Sequence, residues 1–279
     1  MIIESELLTE FDRLIREKDV NPYEGELKCG VDLGTANIVV AVVDENDYPI
    51  AGASHPSKVV KDGIVVDYIG AIRVLKQLKA ELEERIGCEL YKASCAIPPG
   101  ILDGNTRCIA NVVEGAGFEV INIVDEPTAA ARVLGIENGG VVDIGGGTTG
   151  ISIIENGEVT YVADEPTGGT HMTLVLSGYY SVPYDAAEEM KKDLSRQDIV
   201  FPIIKPVAAK MASIVRKFIE RKNVSEIYLV GGACSFDEFE QVFEKETGLT
   251  CYKANVPLLV TPLGIAMYCE NALGEKKLA

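Results

Sequence analysis

One short pattern occurs twice in this 279-residue chain, and it limits the available folds more than any other feature. Val31-Asp32-Leu33-Gly34-Thr35 leads into the apolar run Asn37 to Val43. Val142-Asp143-Ile144-Gly145-Gly146-Gly147-Thr148-Thr149 leads into a second run, Gly150 to Ile154. In both, an aspartate closes a strand, a glycine-containing turn follows, and a second strand departs. The two aspartates, at 32 and 143, stand 111 positions apart. A unit recurring at that distance implies two similar domains facing one another.

The rest of the pattern is that of an α/β chain. Ile72, Leu75, Leu78, Leu82 and Ile86 fall at helical spacing over 69–87 and stop at Gly87. Strand-like 91–97, helical 104–115 and strand-like 118–124 predict a parallel βαβ unit with a right-handed crossover. Glu155-Asn156-Gly157-Glu158 predicts a hairpin turn. Residues 2–18 read as a helix with Leu7, Leu8, Phe11, Leu14 and Ile15 on one stripe. It is suited either to packing on its own domain or to docking on a partner. Helices are expected over 172–194 and 205–222, with Pro206 in the first turn of the latter. Ser235 and Glu238 form a capping box for a helix ending at Gly248, and a last helix opens at Thr261-Pro262. The expected domains are a helix and linker over 1–27, a first lobe over 28–135 and a second over 136–279.

Composition narrows the function classes. A formal charge of −17 disfavours nucleic acid and acidic lipid as partners. No apolar run reaches the length that spans a bilayer, and Met1 is not followed by a leader pattern, so a cytoplasmic protein is expected. Seven scattered cysteines without a C-x-x-C pair predict free thiols rather than a zinc site. Two histidines, His55 and His171, leave little scope for histidine-based catalysis.

A glycine turn opened by aspartate suits polyphosphate. Without Cβ the backbone can approach an anion closely, and successive N–H groups form a nest for its oxygens. An aspartate beside phosphate implies an intervening Mg²⁺, held through water. A single such turn fits a structural hairpin equally well; two of them could clamp one polyphosphate from both sides. Three further stretches accompany them. Val124-Asp125-Glu126-Pro127-Thr128-Ala129-Ala130-Ala131 runs from a strand into a small-residue helix, suited to a hinge or simply well capped. Gly231-Gly232 after a buried strand would let a flat base lie against bare backbone. Thr261 to Ala266 repeats the small-residue character of the first hinge.

In this order the motifs resemble those of the actin/Hsp70/sugar-kinase ATPase superfamily, over residues 29–273. Val59 to Asp67 and Glu126-Pro127 are most similar to bacterial MreB and Hsp70. The whole chain resembles the chaperone-like family of ethanolamine-utilisation operons. The resemblance implies a duplicated ribonuclease H-like fold, with two lobes around a nucleotide cleft, an extra N-terminal helix and reduced outer subdomains near 49–90 and 170–204. It implies ATP or ADP with Mg²⁺ as ligands. Asp32 and Asp143 would hold the metal through water. Gly34, Thr35, Asn37, Gly145, Gly146, Gly147, Thr148 and Thr149 would cradle phosphate, and Glu126 would position the attacking water. Gly231 and Gly232 would meet the adenosine, joined by Glu188, Lys191 and Lys192, a trio that also fits a solvated helix face.

Departures from the family pattern matter too. The Hsp70 active-site lysine has no counterpart beyond Lys61, which matches on position only, so any hydrolysis is expected to be slow. The helical region after Gly169 is expected to leave adenine more exposed, and no peptide-binding domain is expected after the last helix. The leading expectation is a nucleotide-dependent switch assisting assembly of ethanolamine enzymes or of a bacterial microcompartment. Its partners would be proteins of that system. A filament-forming ATPase, a small-molecule kinase and a nucleotide-binding scaffold without turnover are the other classes.

Overall fold

The computed structural model describes residues 1–61 and 63–270, apart from the Leu194 side chain. In chain order the first elements are β1 (Ile2–Ile3), α1 (Glu6–Glu17), β2 (Lys28–Leu33), β3 (Asn37–Val43), β4 (Pro49–Pro56), β5 (Val60–Lys61) and β6 (Ile64–Val65). Then come α2 (Tyr68–Ile86), β7 (Lys92–Ile97), α3 (Asp103–Gly115), β8 (Glu119–Asp125) and α4 (Glu126–Leu134). The second half holds β9 (Gly139–Ile144), β10 (Thr149–Glu155), β11 (Glu158–Glu165), α5 (Gly169–Tyr180), α6 (Tyr184–Lys192) and α7 (Gln197–Ile219). It closes with β12 (Glu226–Val230), α8 (Phe239–Thr247), β13 (Thr250–Ala254) and α9 (Val260–Met267).

The chain forms two compact units. Unit 1 comprises Met1–Ser5 and Gly135–Leu258; unit 2 comprises Glu6–Leu134 and the chain from Leu259 onward. These bounds differ from the expected domains in two places. The last helix, α9, belongs with the first lobe rather than the second, and residues 1–27 form no separate segment.

Both units carry the same sheet. In unit 2 the order is β4-β3-β2-β7-β8, with β4, β3 and β2 antiparallel and β2, β7 and β8 parallel. In unit 1 it is β11-β10-β9-β12-β13, with the same senses, and β1 adds a parallel edge beside β13. The duplication inferred from two aspartates therefore extends to every strand of the five-stranded motif. The turns also match. Leu33 pairs with Ile38 and Ile144 with Thr149, so each hairpin closes over a four-residue loop.

In unit 2, α1 lays Leu8, Phe11 and Leu14, all fully buried, against β4. A Cβ on Gly52 would overlap the Phe11 ring. The Arg85 guanidinium fixes the end of α1 by donating to the carbonyls of Leu14 and Asp19, and to Gly52 O. The helix thus packs on its own domain. It is shorter than expected, because Met1 to Ile3 pair in unit 1 instead: the Met1 amino group donates to Cys251 O and Lys253 N–H to Met1 O.

Three other helices differ from their expected bounds. The 172–194 stretch is two helices, because Ser181 takes a left-handed φ of 55° and Pro183 disfavours helix before it. Helix α7 starts at Gln197 and runs through Pro202 and Pro206. Its buried stripe, Val200, Phe201, Ile204, Ala208, Met211, Ala212, Val215 and Ile219, continues across both prolines. Burying such side chains, at about 2 kcal/mol each, outweighs the ~3 kcal/mol a proline costs within a helix. The expected capping box does not form. Ser235 Oγ turns back to Gly232 O, Glu238 sits at φ 60°, and α8 begins at Phe239.

Candidate functional site

Unit 1 gathers its candidate residues at the ends of β9 and β12. Asp143 on β9 pairs with Val230, the last residue of β12, so the glycine turn 145–148 and Gly231 leave adjacent strands side by side. Gly145 N–H closes the turn by donating to Thr148 O at 3.0 Å. The turn is then tied to α5: Gly169 N–H donates to Gly145 O at 2.9 Å and Thr170 N–H to Gly146 O at 2.8 Å. The Thr170 hydroxyl also donates to Gly146 O. A Cβ on Gly168 would lie 2.7 Å from Gly145 O and 2.8 Å from Gly146 O, so only glycine fits that approach.

Gly231 is equally constrained. Its φ is +89°, and a Cβ would overlap Asp143 Oδ1 and lie 2.5 Å from Ile144 O. Backbone without a side chain therefore lies directly against the aspartate. Behind it, Lys253 bonds Phe236 O and sits 3.3 Å from Glu240, a buried ion pair that anchors the chain following Gly231.

Glu188, Lys191 and Lys192 reach the same region from α6. Lys191 Nζ donates to Gly169 O at 3.1 Å, Thr173 Oγ1 at 2.9 Å and Glu188 Oε2 at 2.7 Å. All three ammonium hydrogens are thereby directed to protein acceptors. Lys192 is exposed and lies 3.3 Å from Glu188 Oε1. Burial pushes the Glu188 carboxyl up, but Lys191, Thr173 and Lys192 together hold it below the ordinary value. Burial pushes the Lys191 ammonium down, against the pull of Glu188. Thr149 is fully buried between β9 and β11 and its hydroxyl donates to Thr167 O at 2.7 Å, so its side chain is committed to the fold.

Unit 2 presents the corresponding end of its own sheet. Asp32 stands near the end of β2, and Gly34 opens a turn in which a Cβ would meet Asn37 O at 2.8 Å. Thr35 is half-buried in that turn and Asn37 begins β3 opposite Pro56. Glu126 starts α4 directly after β8, two strands from Asp32 in the same sheet and at the same strand ends. Carboxyl ends of parallel strands are where open α/β sheets bind ligands. Asp125 caps α4, accepting from Thr128 N–H at 3.0 Å and the Thr128 hydroxyl at 2.6 Å. Lys61 is exposed on its two-residue strand.

Helices α4 and α9 cross at small residues within unit 2. A Cβ on Gly264 would overlap the Ala129 carbonyl, and one on Gly30 of β2 would overlap the Ala266 backbone. The chain leaves unit 2 just after α4 and returns just before α9. Arg132, near the end of α4, pairs with Asp47 at 3.0 Å and Glu270 at 2.6 Å and stacks on the Tyr268 ring.

Among the described residues no three His, Cys, Asp or Glu side chains converge as a metal cage. Residues absent from the sequence reading as site components are Gly168, Gly169, Thr170 and Thr173. The stretch Gly168-Gly169-Thr170-His171 ahead of a helix is visible in the sequence and shared with the family, but tertiary packing decides which turn the glycine pair meets.

Comparison with known proteins agrees with this architecture. The family model for Hsp70 protein matches residues 67–210. Ethanolamine utilization protein EutJ of Salmonella typhimurium is 42% identical over 241 residues, 86% of this chain and 85% of its own. The crystal structure of EutJ from Carboxydothermus hydrogenoformans superposes with a TM-score of 0.90 at 48% identity, covering 94% of this chain and 97% of the other. MreB 5 of Spiroplasma citri, bound to AMPPNP, shares the fold at a TM-score of 0.68 and 17% identity, over 87% of this chain and 95% of its own. With these matches and the duplicated sheet, the chain belongs to the EutJ family of ethanolamine utilization proteins, on the actin/Hsp70 ATPase fold.

Proposed function

We propose that this protein binds Mg·ATP and ADP and acts as a nucleotide-dependent switch that assists assembly or maintenance of ethanolamine-utilisation enzymes. The switch would act in the cytoplasm at a bacterial microcompartment, with enzymes or shell proteins as partners. The observation that carries the reading is the glycine cradle of unit 1. Gly168 closes on the carbonyls of Gly145 and Gly146, and Gly231 lies bare against Asp143. Chemically this suits a polyphosphate with a bound cation: backbone N–H groups of a tight turn and one carboxylate, beside a glycine pair whose second member lies against the Leu258 side chain. In support, an MreB of the same fold was solved with AMPPNP, and relatives over 40% identical carry the ethanolamine name.

In unit 1, Asp143 would hold Mg²⁺ through water, Gly145 to Thr149 would take phosphate, and Gly231, Gly232 and the Lys192 ammonium would meet the nucleoside. Glu188 and Lys191 support this site indirectly, by locking Gly169 and the start of α5. In unit 2, Asp32 would bind a cation through water, and Gly34, Thr35 and Asn37 would take phosphate. Glu126 would orient a water molecule by accepting its hydrogen bond, a role set by geometry more than by a shifted pKa. The bound metal would supply charge neutralisation on the phosphate oxygens. A ligand that binds one arrangement of the chain better than another shifts the population toward it, which is all a switch requires.

Hydrogen exchange with saturating Mg·ATP and Mg·ADP tests the switch. Different protection near 134–135 and 258–259, where the chain passes between units, is the expected result; identical patterns would overturn it. A scaffold without turnover is favoured by one observation, the exposure of Lys61 on its two-residue strand, since this lysine matches a catalytic one on sequence position only. Phosphate release separates the two, since turnover requires the wild type to exceed Glu126→Gln by at least about tenfold.

A further inference from the structure

Leu258 differs from the chain around it. From Pro257 to Met267 every residue is buried except this one, which is 39% exposed. It lies in the short turn Pro257–Leu259 between β13 and α9. Two contacts hold that turn against the glycine pair of unit 1. Gly231 N–H donates to Pro257 O at 2.9 Å, and a Cβ on Gly232 would lie 2.8 Å from Leu258 Cδ1. The leucine side chain thus covers one side of Gly232 and turns its remaining surface outward beside the pair. Gly231 in turn lies against Asp143. Leu258 is also the last residue of unit 1, since the chain passes into unit 2 at Leu259.

We propose that Leu258 is the apolar wall for the base of a bound nucleotide, and that through it the base acts on the passage between units. The proposal rests on reading unit 1 as a nucleotide site. Ligand sites are lined chiefly by apolar side chains, with a few polar groups that set orientation. Every other residue placed at this site is a glycine or carries a polar side chain. Such groups suit phosphate and a cation, but they give a flat base no apolar surface. Leu258 supplies that surface, and covering an exposed leucine with a ring removes apolar area from water. Its position supplies the coupling. With a base on one side and Gly232 on the other, the leucine is held from both, and the turn 257–259 is fixed whenever a nucleoside is bound. Phosphate held at the turn 145–148 leaves Leu258 uncovered. The passage at 258–259 therefore senses the nucleoside rather than the phosphate chain, by an ordering that only the nucleoside brings.

Calorimetry and hydrogen exchange on the full chain test this, with Mg·ATP against Mg·tripolyphosphate, which has the phosphates without the nucleoside. Wild type should bind Mg·ATP at least about tenfold more tightly than Mg·tripolyphosphate. Only ATP should raise protection over 258–260. Leu258→Ala should bind tripolyphosphate as wild type does but ATP about fivefold more weakly, with no protection gained over 258–260. Should that variant misfold, Leu258→Asn, of similar shape, serves instead. A folded variant with wild-type ATP affinity overturns the proposal and leaves nucleotide binding standing. So does an equal loss for both ligands, which would mean that Leu258 only supports the fold. A wild type that binds the two ligands equally well overturns the role of the base alone, whereas one that binds neither overturns the nucleotide reading as well.

Discussion

Gly231 illustrates how much of the site rests on single residues. An alanine there would combine a positive φ with a methyl group driven into Asp143 and Ile144 O. Gly231→Ala should cost about 3 kcal/mol, read from urea unfolding; a loss below about 0.5 kcal/mol would mean that the loop relaxes freely. Lys191 makes a second case. Its side chain and that of Glu188 are only 12% and 19% exposed, and removing one partner strands the other. Lys191→Met should destabilise by about 3 kcal/mol at pH 7. In the wild type the Glu188 carboxyl lies below its unfolded value of 4.5, so its contribution is present above that pH and lost as pH falls through the folded value. Without Lys191, burial dominates and the carboxyl rises, so the variant fares better in acid. The stability gap between the two proteins should therefore narrow from pH 7 to pH 4, and a constant gap would contradict the pairing.

Elements were legible in the sequence where local chemistry and tertiary packing agree. Helix α2 ends at Gly87 with φ 83° as its periodicity implies, and Asn156-Gly157 makes the two-residue hairpin with both φ positive. Reading failed where packing overrides a local rule. Pro202 and Pro206 do not stop α7, because its buried stripe runs through them. Ser235 does not cap α8, because its hydroxyl is taken by Gly232 O. Ile2 and Ile3, apolar and next to a helix, fit a helix in sequence; an open edge beside β13 makes them a strand. At this scale the α4–α9 crossing is the sharpest target. Gly264→Ala, placed against the Ala129 carbonyl, should cost about 3 kcal/mol, whereas Gly104→Ala in open space should gain about 0.5 kcal/mol. Comparable thermal shifts in both variants would refute the close crossing.

At the scale of the whole molecule, the duplication was legible because a phosphate-type turn needs the same residues wherever it occurs. Unit membership was not. It depends on long-range pairing, which takes Met1–Ser5 into one unit and α9 into the other. Nor could sequence alone tell that Lys191 bonds both Glu188 and Gly169, since a solvated helix face has the same spacing. The glycine cradle against Asp143 gives the molecule its proposed purpose, and calorimetry with Mg·ATP interrogates it. Wild type should bind with a measurable affinity, and the isosteric Asp143→Asn, shown by circular dichroism to be folded, at least about tenfold more weakly, a loss of about 1.4 kcal/mol. Equal affinity in the two proteins, or no binding by the wild type, would contradict it.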